Sequence, residues 1–460
     1  MGRLIVASNR TAPPGAAPPG GLAVALSEAL AERGGGVWFG WSGETLPRET
    51  RGVRLIAEGP IDFALADLTE AEHEGYYLGY SNRALWPVFH YRVDLAEFDE
   101  RAFETYAAVN RRFGGLLRQL LRPGDTVWVH DYQLFLLGQE LRNHGWQGAI
   151  GHFLHIPFPA PEVLSALPQH QRLARALADY DLLGFQTGRD VDNFTRYMVQ
   201  HHGAEAGADG HLAVFGRRLR AAAFPIGIDP DEVARLAATE AAGDAAGRLG
   251  RILDHRALVL GVDRMDYSKG LPQRFAAFGR LLDENAALHG RVTMMQIAPL
   301  SRSSVDAYRD LREELDRQSG RINGDYGDLD WMPIRYVARG YGRDVLAGLY
   351  RLARVGLVTP LHDGMNLVAK EYVAAQQPED PGVLVLSEFA GAAERMEAAL
   401  LVNPHDIGAV AEAIRQALEM PLAERRERWT ALDAEVRAHD LGHWRRSYLD
   451  ALDAVGAGAA

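Results

Sequence analysis

Residues Val355 to Gln377 read VGLVTPLHDGMNLVAKEYVAAQQ, and their order gives the clearest indication of the architecture. Val355 to Thr359 is a short apolar run of the kind that fills a buried parallel strand, and Pro360 ends it. The letters HDG favour a loop, and Asn366 suits the N-cap of the helical run that follows. A strand, a tight turn and a new helix in this order indicate an open α/β domain.

The helix start in this stretch has the chemistry of a phosphate site. Backbone N–H groups are unpaired at a helix N-terminus, and the helix dipole favours an anion there. Glu371 lies one turn into the helix, where its carboxylate can accept hydrogen bonds from a ribose diol. An ordinary turn followed by a surface glutamate explains the same letters equally well, so other parts of the chain must decide.

Length, charge and composition restrict the class of protein. At 460 residues the chain is too long for one compact core and suits two domains, or three. Sixty-one acidic against 49 basic side chains give a net charge of −12, which argues against a general nucleic-acid surface. The sequence has no cysteine, no signal-peptide core and no run long enough to span a membrane. We therefore expect a soluble cytoplasmic protein that binds neither nucleic acid nor membrane.

Strands that end in polar side chains and lead into helices recur along the chain. In the first half the segments TVWVHDYQ, IGHFLHIPFP and DLLGFQT have this form, with His130, Asp131 and His155 just past apolar letters. A second series starts at Ala257 with ALVLGVDRMDYSKGLPQRFAAFGRLL. Open α/β folds bind ligands at the carboxyl edge of their parallel sheets, so the polar tips of each series are expected on one rim. The pattern predicts two doubly wound parallel sheets.

The expected division of the chain follows from these two series. Residues 1–236 would form an N-terminal domain, residues 237–440 a second domain, and residues 441–460 a C-terminal segment that could pack back on the first. A helix rich in alanine and glycine over Ala237 to Gly250 would connect the two domains.

Basic side chains gather on the loops of the second series. Arg264 and Lys269 are separated by a short loop, so both can reach one pyrophosphate, arginine as a fork and lysine as a point charge. Either side chain alone is more simply explained as a solvated loop residue. Their occurrence in the same domain as a phosphate-type helix start favours the binding interpretation. Further candidates on the same rim are Arg302, Arg339, Tyr341 and Arg343.

Two acidic motifs resemble metal sites, but no bound metal is expected. Asp229-Pro230-Asp231 matches a metal-binding D-x-D pattern, yet it leads into a helix as an N-terminal turn would. The segment DLDW near residue 330 lacks a preceding apolar strand. The histidines show no ligand spacing such as H-E-x-x-H.

The N-terminal part carries weaker signals. The pair Gly20-Gly21 at a helix start allows a backbone to approach a ligand closely, although such pairs are common. Tyr76-Tyr77 and Trp86 follow in a segment that is expected to be irregular, and most aromatic residues belong to a core.

Long motifs spread over nearly the whole chain resemble one family. They are SNR, GGLAVAL, WFGWSGE, LWPVFHYR, WVHDYQL, FLHIPFP, DLLGFQT, FPIGID, DRMDYSKGLPQR, RINGDYG, TPLHDGMNLVAKEYVAAQ and VLSEFAGAAE. These segments are similar to those of the trehalose-6-phosphate synthases, retaining glycosyltransferases of family 20 with the GT-B architecture. The resemblance implies two Rossmann-like domains facing across a cleft. It also implies transfer of glucose from a nucleotide sugar, usually UDP-glucose, to glucose 6-phosphate, giving α,α-trehalose 6-phosphate without a metal or cofactor.

The resemblance further implies roles for individual residues. The acceptor, glucose 6-phosphate, would contact Arg10, Tyr77, Trp86, Asp131 and Arg302. The nucleotide sugar would contact Gly20, Gly21, His155, Arg264, Lys269, Tyr341, Asp363, Gly364, Met365, Asn366, Leu367, Val368 and Glu371. The catalytic residues among these would be Arg264, Lys269, His155, Asp131 and Asp363. Tyr341 stands where the family often has another aromatic residue, which leaves the base preference open.

Two other functions stay open on the sequence alone. A catalytically silent subunit could sense sugar phosphates, although such a subunit need not keep Arg264, Lys269, Asp131 and Glu371 together. A related pseudo-glycosyltransferase could join a cyclitol donor to an amine, although the segments SNR and HDGMNLVAKEY look like those of the glucosyl enzyme. The resemblance also implies self-association, as a homodimer or homotetramer.

Overall fold

The computed structural model of the chain describes residues 2–11, 21–49, 52–207, 209–300 and 306–458. Its contacts divide the chain into two compact units. The first unit comprises Met1–Pro225 and Trp444–Ala460, and the second comprises Ile226–His443. Each unit has its own mainly parallel sheet with helices between the strands. The expected α/β class with two parallel-sheet domains is therefore confirmed.

Strands and helices alternate through both units. The strands of the described residues are β1 Leu4–Arg10, β2 Gly36–Leu46, β3 Arg54–Glu58, β4 Ile61–Thr69, β5 Thr126–His130, β6 Ile150–Phe153, β7 Leu182–Phe185, β8 Glu205–Ala206, β9 His211–Val214, β10 Arg217–Ala223, β11 Ala257–Val262, β12 Val292–Ile297, β13 Ile334–Val337, β14 Val355–Val358, β15 Val383–Ser387 and β16 Leu400–Val402. The α-helices are α1 Gly21–Glu32, α2 Glu70–Glu72, α3 Trp86–Phe89, α4 Glu100–Leu120, α5 Leu137–Asn143, α6 Pro161–Leu164, α7 His170–Leu177, α8 Gly188–His202, α9 Pro230–Leu236, α10 Glu240–Leu253, α11 Leu271–Glu284, α12 Asp306–Tyr326, α13 Arg343–Leu352, α14 Leu367–Ala375, α15 Ile407–Glu419, α16 Leu422–Ala438 and α17 Leu441–Gly458.

The first unit contains a sheet in the order β3-β4-β2-β1-β5-β6-β7-β10-β9-β8. The seven inner strands, β4, β2, β1, β5, β6, β7 and β10, pair in parallel. The antiparallel strand β3 extends one side, and β9 with β8 extends the other. The inner strands are short apolar runs buried on both faces, as parallel strands usually are. Parallel pairing puts the carboxyl ends of β1, β5, β6 and β7 at one edge. We call the residues at and just after these strand ends, 9–11, 130–132, 154–157 and 186–188, the first rim.

The second unit contains an all-parallel sheet in the order β13-β12-β11-β14-β15-β16. Its central strands are buried Val, Leu and Met runs, and the helices between them supply the crossovers that parallel pairing requires. We call the residues after β11, β12, β14 and β15, namely 263–270, 298–300, 359–367 and 388–391, the second rim.

The second unit begins at Ile226, ahead of the expected boundary at residue 236. The reason is α9, which packs on α13 and α14 of the second sheet. In addition, the buried Lys370 ammonium donates to the Ile226 carbonyl at 2.7 Å. Asp229 caps α9 by accepting from the Glu232 N–H at 2.9 Å, which confirms the predicted turn at the start of a helix.

The end of the chain belongs to the first unit from Trp444 onwards. Tyr448 of α17 stacks on Trp128 of β5 with ring centroids 4.8 Å apart, and Trp444 lies 5.3 Å from the same ring. All three side chains are buried, so α17 covers one face of the first sheet.

The segment around Tyr76 and Trp86, expected to be irregular, is helical. A capping box on Thr69 and Glu72 starts α2, and a π-helix over His73–Leu85 continues into α3. Tyr76 and Trp86 are core residues, as most aromatics are.

None of the helices in the described ranges is both long enough and apolar enough to cross a membrane.

Candidate functional site

Lys269 and Asp363 lie at the centre of the second rim. The Lys269 Nζ is 2.5 Å from Asp363 Oδ2, and both side chains are nearly buried. The Asn366 side-chain amide also donates to Asp363 Oδ2, at 3.0 Å. The two loops are joined through their backbones as well, because the Leu361 N–H donates to the Ser268 carbonyl at 2.7 Å. An ammonium has three N–H donors, so Lys269 can hold Asp363 and an anion at the same time.

The helix that follows, α14, begins without a cap from its N-cap side chain. Asn366 occupies the N-cap position as expected, but its backbone is left-handed (φ 73°, ψ 88°) and its side chain makes no capping hydrogen bond. In this conformation the side chain turns to Asp363 instead. Gly364 and Met365 are buried, whereas Leu367 and Val368 are half-buried. The first-turn N–H groups thus keep the property that makes a helix start attract phosphate.

Glu371 lies on α14, one turn beyond this start. The Tyr350 hydroxyl donates to its Oε2 at 3.4 Å. Burial raises the pKa of the Glu371 carboxyl, while the charge of Arg343 and the Tyr350 hydrogen bond act in the opposite direction. A desolvated carboxylate of this kind accepts hydrogen bonds from hydroxyl groups more strongly than one in water does.

The other predicted basic and aromatic residues of the second unit lie near the strand ends. Arg264 follows β11 and is exposed. Arg339 lies over the Tyr341 ring, with its guanidinium carbon 5.0 Å from the centroid and its Nε 3.3 Å from the hydroxyl. Within the described residues, this pair forms no hydrogen bond with Lys269 or Glu371. Two predicted positions, Gly20 and Arg302, lie outside the described residues, and Gly21 is the first residue of α1.

On the first rim, Asp131 is held in a rare backbone conformation. Its φ of 73° and ψ of 168° belong to a region that is essentially restricted to glycine. The Asp131 N–H donates to the Phe153 carbonyl at 2.8 Å, and the His155 N–H donates to Asp131 Oδ1 at 3.3 Å. The His152 ring nitrogen Nε2 lies 3.1 Å from the Asp131 carbonyl oxygen and donates to it. These contacts join the ends of β5 and β6, and they bring the predicted residues Asp131 and His155 together.

Three histidines beside Asp131 are held in the neutral form. His130 Nδ1 and His155 Nε2 share a hydrogen bond of 3.1 Å. Burial lowers the pKa of His152 to about 4 and that of His155 to about 3, and it also lowers the pKa of His130. Neutral imidazoles suit contacts with sugar hydroxyls rather than with phosphate. Among the described residues no group of three or more acidic or imidazole side chains is placed to hold a metal ion.

Arg10 and Tyr77 both lie near Trp41. The Arg10 guanidinium carbon is 5.9 Å from the Trp41 ring centroid, and the Tyr77 ring is 5.8 Å from it. Arg10 is exposed at the end of β1, where a charged side chain can meet an anion. Trp86 packs elsewhere, against Tyr132, with ring centroids 5.7 Å apart.

Two residues that bear on the rims were not predicted from the sequence. His152 supports the Asp131 backbone. In the sequence it could have been noticed only as a polar residue inside the apolar strand IGHF. Arg274 is fully buried beneath the second rim, and its signal is a basic letter on the apolar face of α11.

Comparison with known proteins gives a consistent result. The model of "Glycosyltransferase family 20" matches residues 13–454. A trehalose-6-phosphate synthase of Sinorhizobium fredii is 48% identical over 458 residues, which cover 99% of this chain and 99% of the relative. The enzyme of the same name from Cronobacter sakazakii is 46% identical and covers 99% of this chain and 96% of its own.

Solved structures that match this chain are also described as trehalose-phosphate synthases. An α,α-trehalose-phosphate synthase (UDP-forming) from Burkholderia xenovorans, in complex with glucose-6-phosphate, matches with a TM-score of 0.94 and 48% identity, covering 98% of this chain and 100% of that one. A structure from E. coli described as bound with UDP-2-fluoro glucose matches with a TM-score of 0.94 and 44% identity, covering 98% of each chain. The expected architecture and the expected resemblance are both confirmed, and this chain belongs to glycosyltransferase family 20.

Proposed function

We propose that this chain is a retaining glucosyltransferase that moves glucose from UDP-glucose to glucose 6-phosphate and gives α,α-trehalose 6-phosphate. The observation that carries the proposal is the second rim, where Lys269 and Asp363 meet beside the start of α14. Relatives of similar length bear the name of this activity. Two of the matching structures are described with glucose-6-phosphate and with a UDP sugar.

Most of the proposed donor residues lie in the second unit. Arg264, Lys269 and the first-turn N–H groups of α14 bind the diphosphate, and Glu371 accepts hydrogen bonds from the ribose. Gly364, Met365, Asn366, Leu367 and Val368 shape the turn around the phosphates, and Tyr341 lies towards the base. His155 and Asp363 contact the glucosyl hydroxyls, and Gly20 and Gly21 are further contacts of the nucleotide sugar.

The proposed chemistry follows from the charges that develop. Breaking the anomeric bond builds positive charge on the sugar ring and negative charge on the leaving diphosphate. Hydrogen-bond donors stabilise the charge on the leaving diphosphate most when they are fixed in place before the reaction, because no reorganisation is then needed. Lys269 meets this condition because its ammonium is held by Asp363. The acceptor attacks from the face that the diphosphate leaves, and a phosphate oxygen takes the acceptor proton.

The proposed acceptor residues are Arg10, Tyr77, Trp86, Asp131 and Arg302. Arg10, Tyr77 and Arg302 hold the 6-phosphate, and Asp131 accepts hydrogen bonds from sugar hydroxyls. An arginine makes charge-assisted hydrogen bonds with phosphate, which suits Arg10 at the exposed end of β1. We further propose that the protein acts in the cytoplasm as a homo-oligomer, a dimer or tetramer, without a metal or cofactor.

Product analysis tests the proposal. The protein is incubated with glucose 6-phosphate and UDP-, GDP- or ADP-glucose in the presence of a chelator, and products are identified by mass spectrometry. We expect trehalose 6-phosphate, with the highest rate from UDP-glucose. A protein that binds both substrates without turnover would be the silent sensor, and an amine-linked cyclitol product would indicate the pseudo-glycosyltransferase.

A further inference from the structure

Arg274 lies beneath the second rim with its guanidinium completely buried. One terminal nitrogen donates to Asp263 Oδ2 at 2.7 Å and to Gln296 Oε1 at 2.9 Å. The Nε donates to Thr359 Oγ1 at 3.1 Å, and the other terminal nitrogen donates to the Lys269 carbonyl at 3.2 Å. Four hydrogen bonds therefore connect one side chain to the ends of β11, β12 and β14 and to the loop after β11.

The space around this guanidinium is closely fitted. A Cβ added at Gly261 of β11 would lie 2.6 Å from the Arg274 terminal nitrogen and 2.2 Å from Gln296 Oε1. Any side chain at position 261 would therefore displace the network. Burial raises the pKa of the Asp263 carboxyl, and the positive charges of Arg274 and Lys269 oppose that rise. A buried ion pair of this kind adds little to stability compared with apolar residues of similar size. Stability alone therefore does not explain why Arg274 and Asp263 are buried here.

The contacts of Arg274 suggest that reason. Its bond to the Lys269 carbonyl fixes the end of the loop that carries the ammonium. Its bond to Thr359 fixes the last residue before the turn that carries Asp363. The two loops also contact each other directly, because the Leu361 N–H donates to the Ser268 carbonyl. The Arg274 guanidinium therefore supports two loops that are already joined by a backbone hydrogen bond.

We propose that Arg274 is a positioning residue, which sets the distance between the Lys269 loop and the Asp363 turn and so preorganises the site for a nucleoside diphosphate. This inference rests on the proposed function only for the identity of that ligand. Arg274 itself is buried and does not touch the ligand. A misplacement of about 1 Å in such a site lowers turnover by about a hundredfold.

Replacement by an apolar residue of similar length tests the role. Arg274→Met leaves Asp263 buried and unpaired, so the double variant Asp263→Asn/Arg274→Met is compared with it. We expect both to lower kcat/KM for UDP-glucose by about ten- to a hundredfold and to weaken binding of UDP in calorimetry. The KM for glucose 6-phosphate should change by less than about twofold, because only the donor site is altered.

Arg425→Met is the matched control. Arg425 is also buried in the second unit, but it contacts Asp380 and the Pro381 carbonyl. These two residues precede β15, at the end of the strand away from the second rim. This variant should lose thermal stability while the folded protein keeps the wild-type UDP affinity and turnover. Loss of donor binding in Arg425→Met to the same extent as in Arg274→Met would overturn the inference, since it would reflect general loosening.

Two further outcomes are decisive. If the methionine variants do not fold, Arg274→Lys, which keeps the charge but loses the fork of donors, carries the test with the same measurements. A folded Arg274 variant with wild-type UDP affinity and turnover would reduce Arg274 to a core ion pair. Because UDP binding needs no acceptor, weakened binding in a protein that makes no trehalose 6-phosphate would leave this inference standing and the proposed function rejected.

Discussion

Asp131 combines a strained backbone with a position at the end of a central strand. Conformations near φ 73°, ψ 168° cost a residue with a side chain about 1–3 kcal/mol. The cost is met here by hydrogen bonds from the Asp131 N–H to Phe153 and from the His152 ring to the Asp131 carbonyl. Such strain persists only where the surrounding structure fixes it, and strained residues are concentrated at functional sites.

Asp131→Gly should therefore separate stability from activity. Glycine adopts this conformation without strain, although it gains about 0.5–1 kcal/mol of conformational freedom in the unfolded chain. We expect a variant at least as stable as the wild type in urea unfolding, with turnover reduced by about a hundredfold. Asp131→Asn keeps the strain and should show no gain in stability. A glycine variant clearly less stable than the asparagine variant would contradict this account.

Lys269 is the residue on which the proposed leaving-group chemistry depends most. Lys269→Ala should lower kcat by about a hundredfold or more, with little change in the KM for glucose 6-phosphate. Lys269→Arg keeps the charge on a larger head group, so its intermediate rate would show how much depends on charge and how much on fit. Initial rates with each substrate varied make the measurement. Wild-type kcat in the alanine variant would remove Lys269 from the site.

The turn between β14 and α14 depends on the left-handed backbone of Asn366. Asn366→Gly and Asn366→Ala both delete the hydrogen bond to Asp363. Only alanine is strained at φ 73°, because glycine has no Cβ. The alanine variant should thus be less stable than the glycine variant by about 1–2 kcal/mol in urea unfolding. Equal stabilities would mean that the turn relaxes. The comparison needs no substrate and so tests the local structure alone.

The strands and helices that carry the rims could largely be predicted from apolar runs and turn letters. The helical segment from His73 to Leu85 could not, because a π-helix pairs each residue with one five positions away and so lacks the ordinary helical period. Asn366 was placed correctly at the N-cap position, but propensity alone cannot tell that its side chain turns to Asp363.

The strand-edge rule correctly placed Asp131, Lys269 and Asp363 just after the ends of strands, whereas the residues beneath the rims required the structure. Arg274 has partners at positions 263, 296 and 359, which are brought together only by the packing of three strands. A pattern along one element contains no information on such distant partners. The start of the second unit at Ile226 similarly follows from the packing of α9, which the letters before Ala237 do not reveal.

The first unit as a whole should lose stability in mild acid because it buries neutral histidines. Burial lowers the pKa of His152 from its usual 6.5 to about 4, so between these values the unfolded chain binds more protons than the folded one. The stabilising contribution is complete above pH 6.5 and is lost as the pH falls towards 4. Between pH 7 and pH 5 this histidine alone should lower the free energy of unfolding by about 2 kcal/mol.

His152→Gln tests this linkage. Its stability at pH 7 should be below that of the wild type, because the bond to the Asp131 carbonyl is altered, but the fall between pH 7 and pH 5 should be smaller by about 2 kcal/mol. His144→Gln, at an exposed position of the same unit, should keep the wild-type fall. Urea unfolding at the two pH values measures both. An unchanged fall in His152→Gln would show that the acid sensitivity arises from other groups, and the buried imidazole would then serve only to hold Asp131 in place.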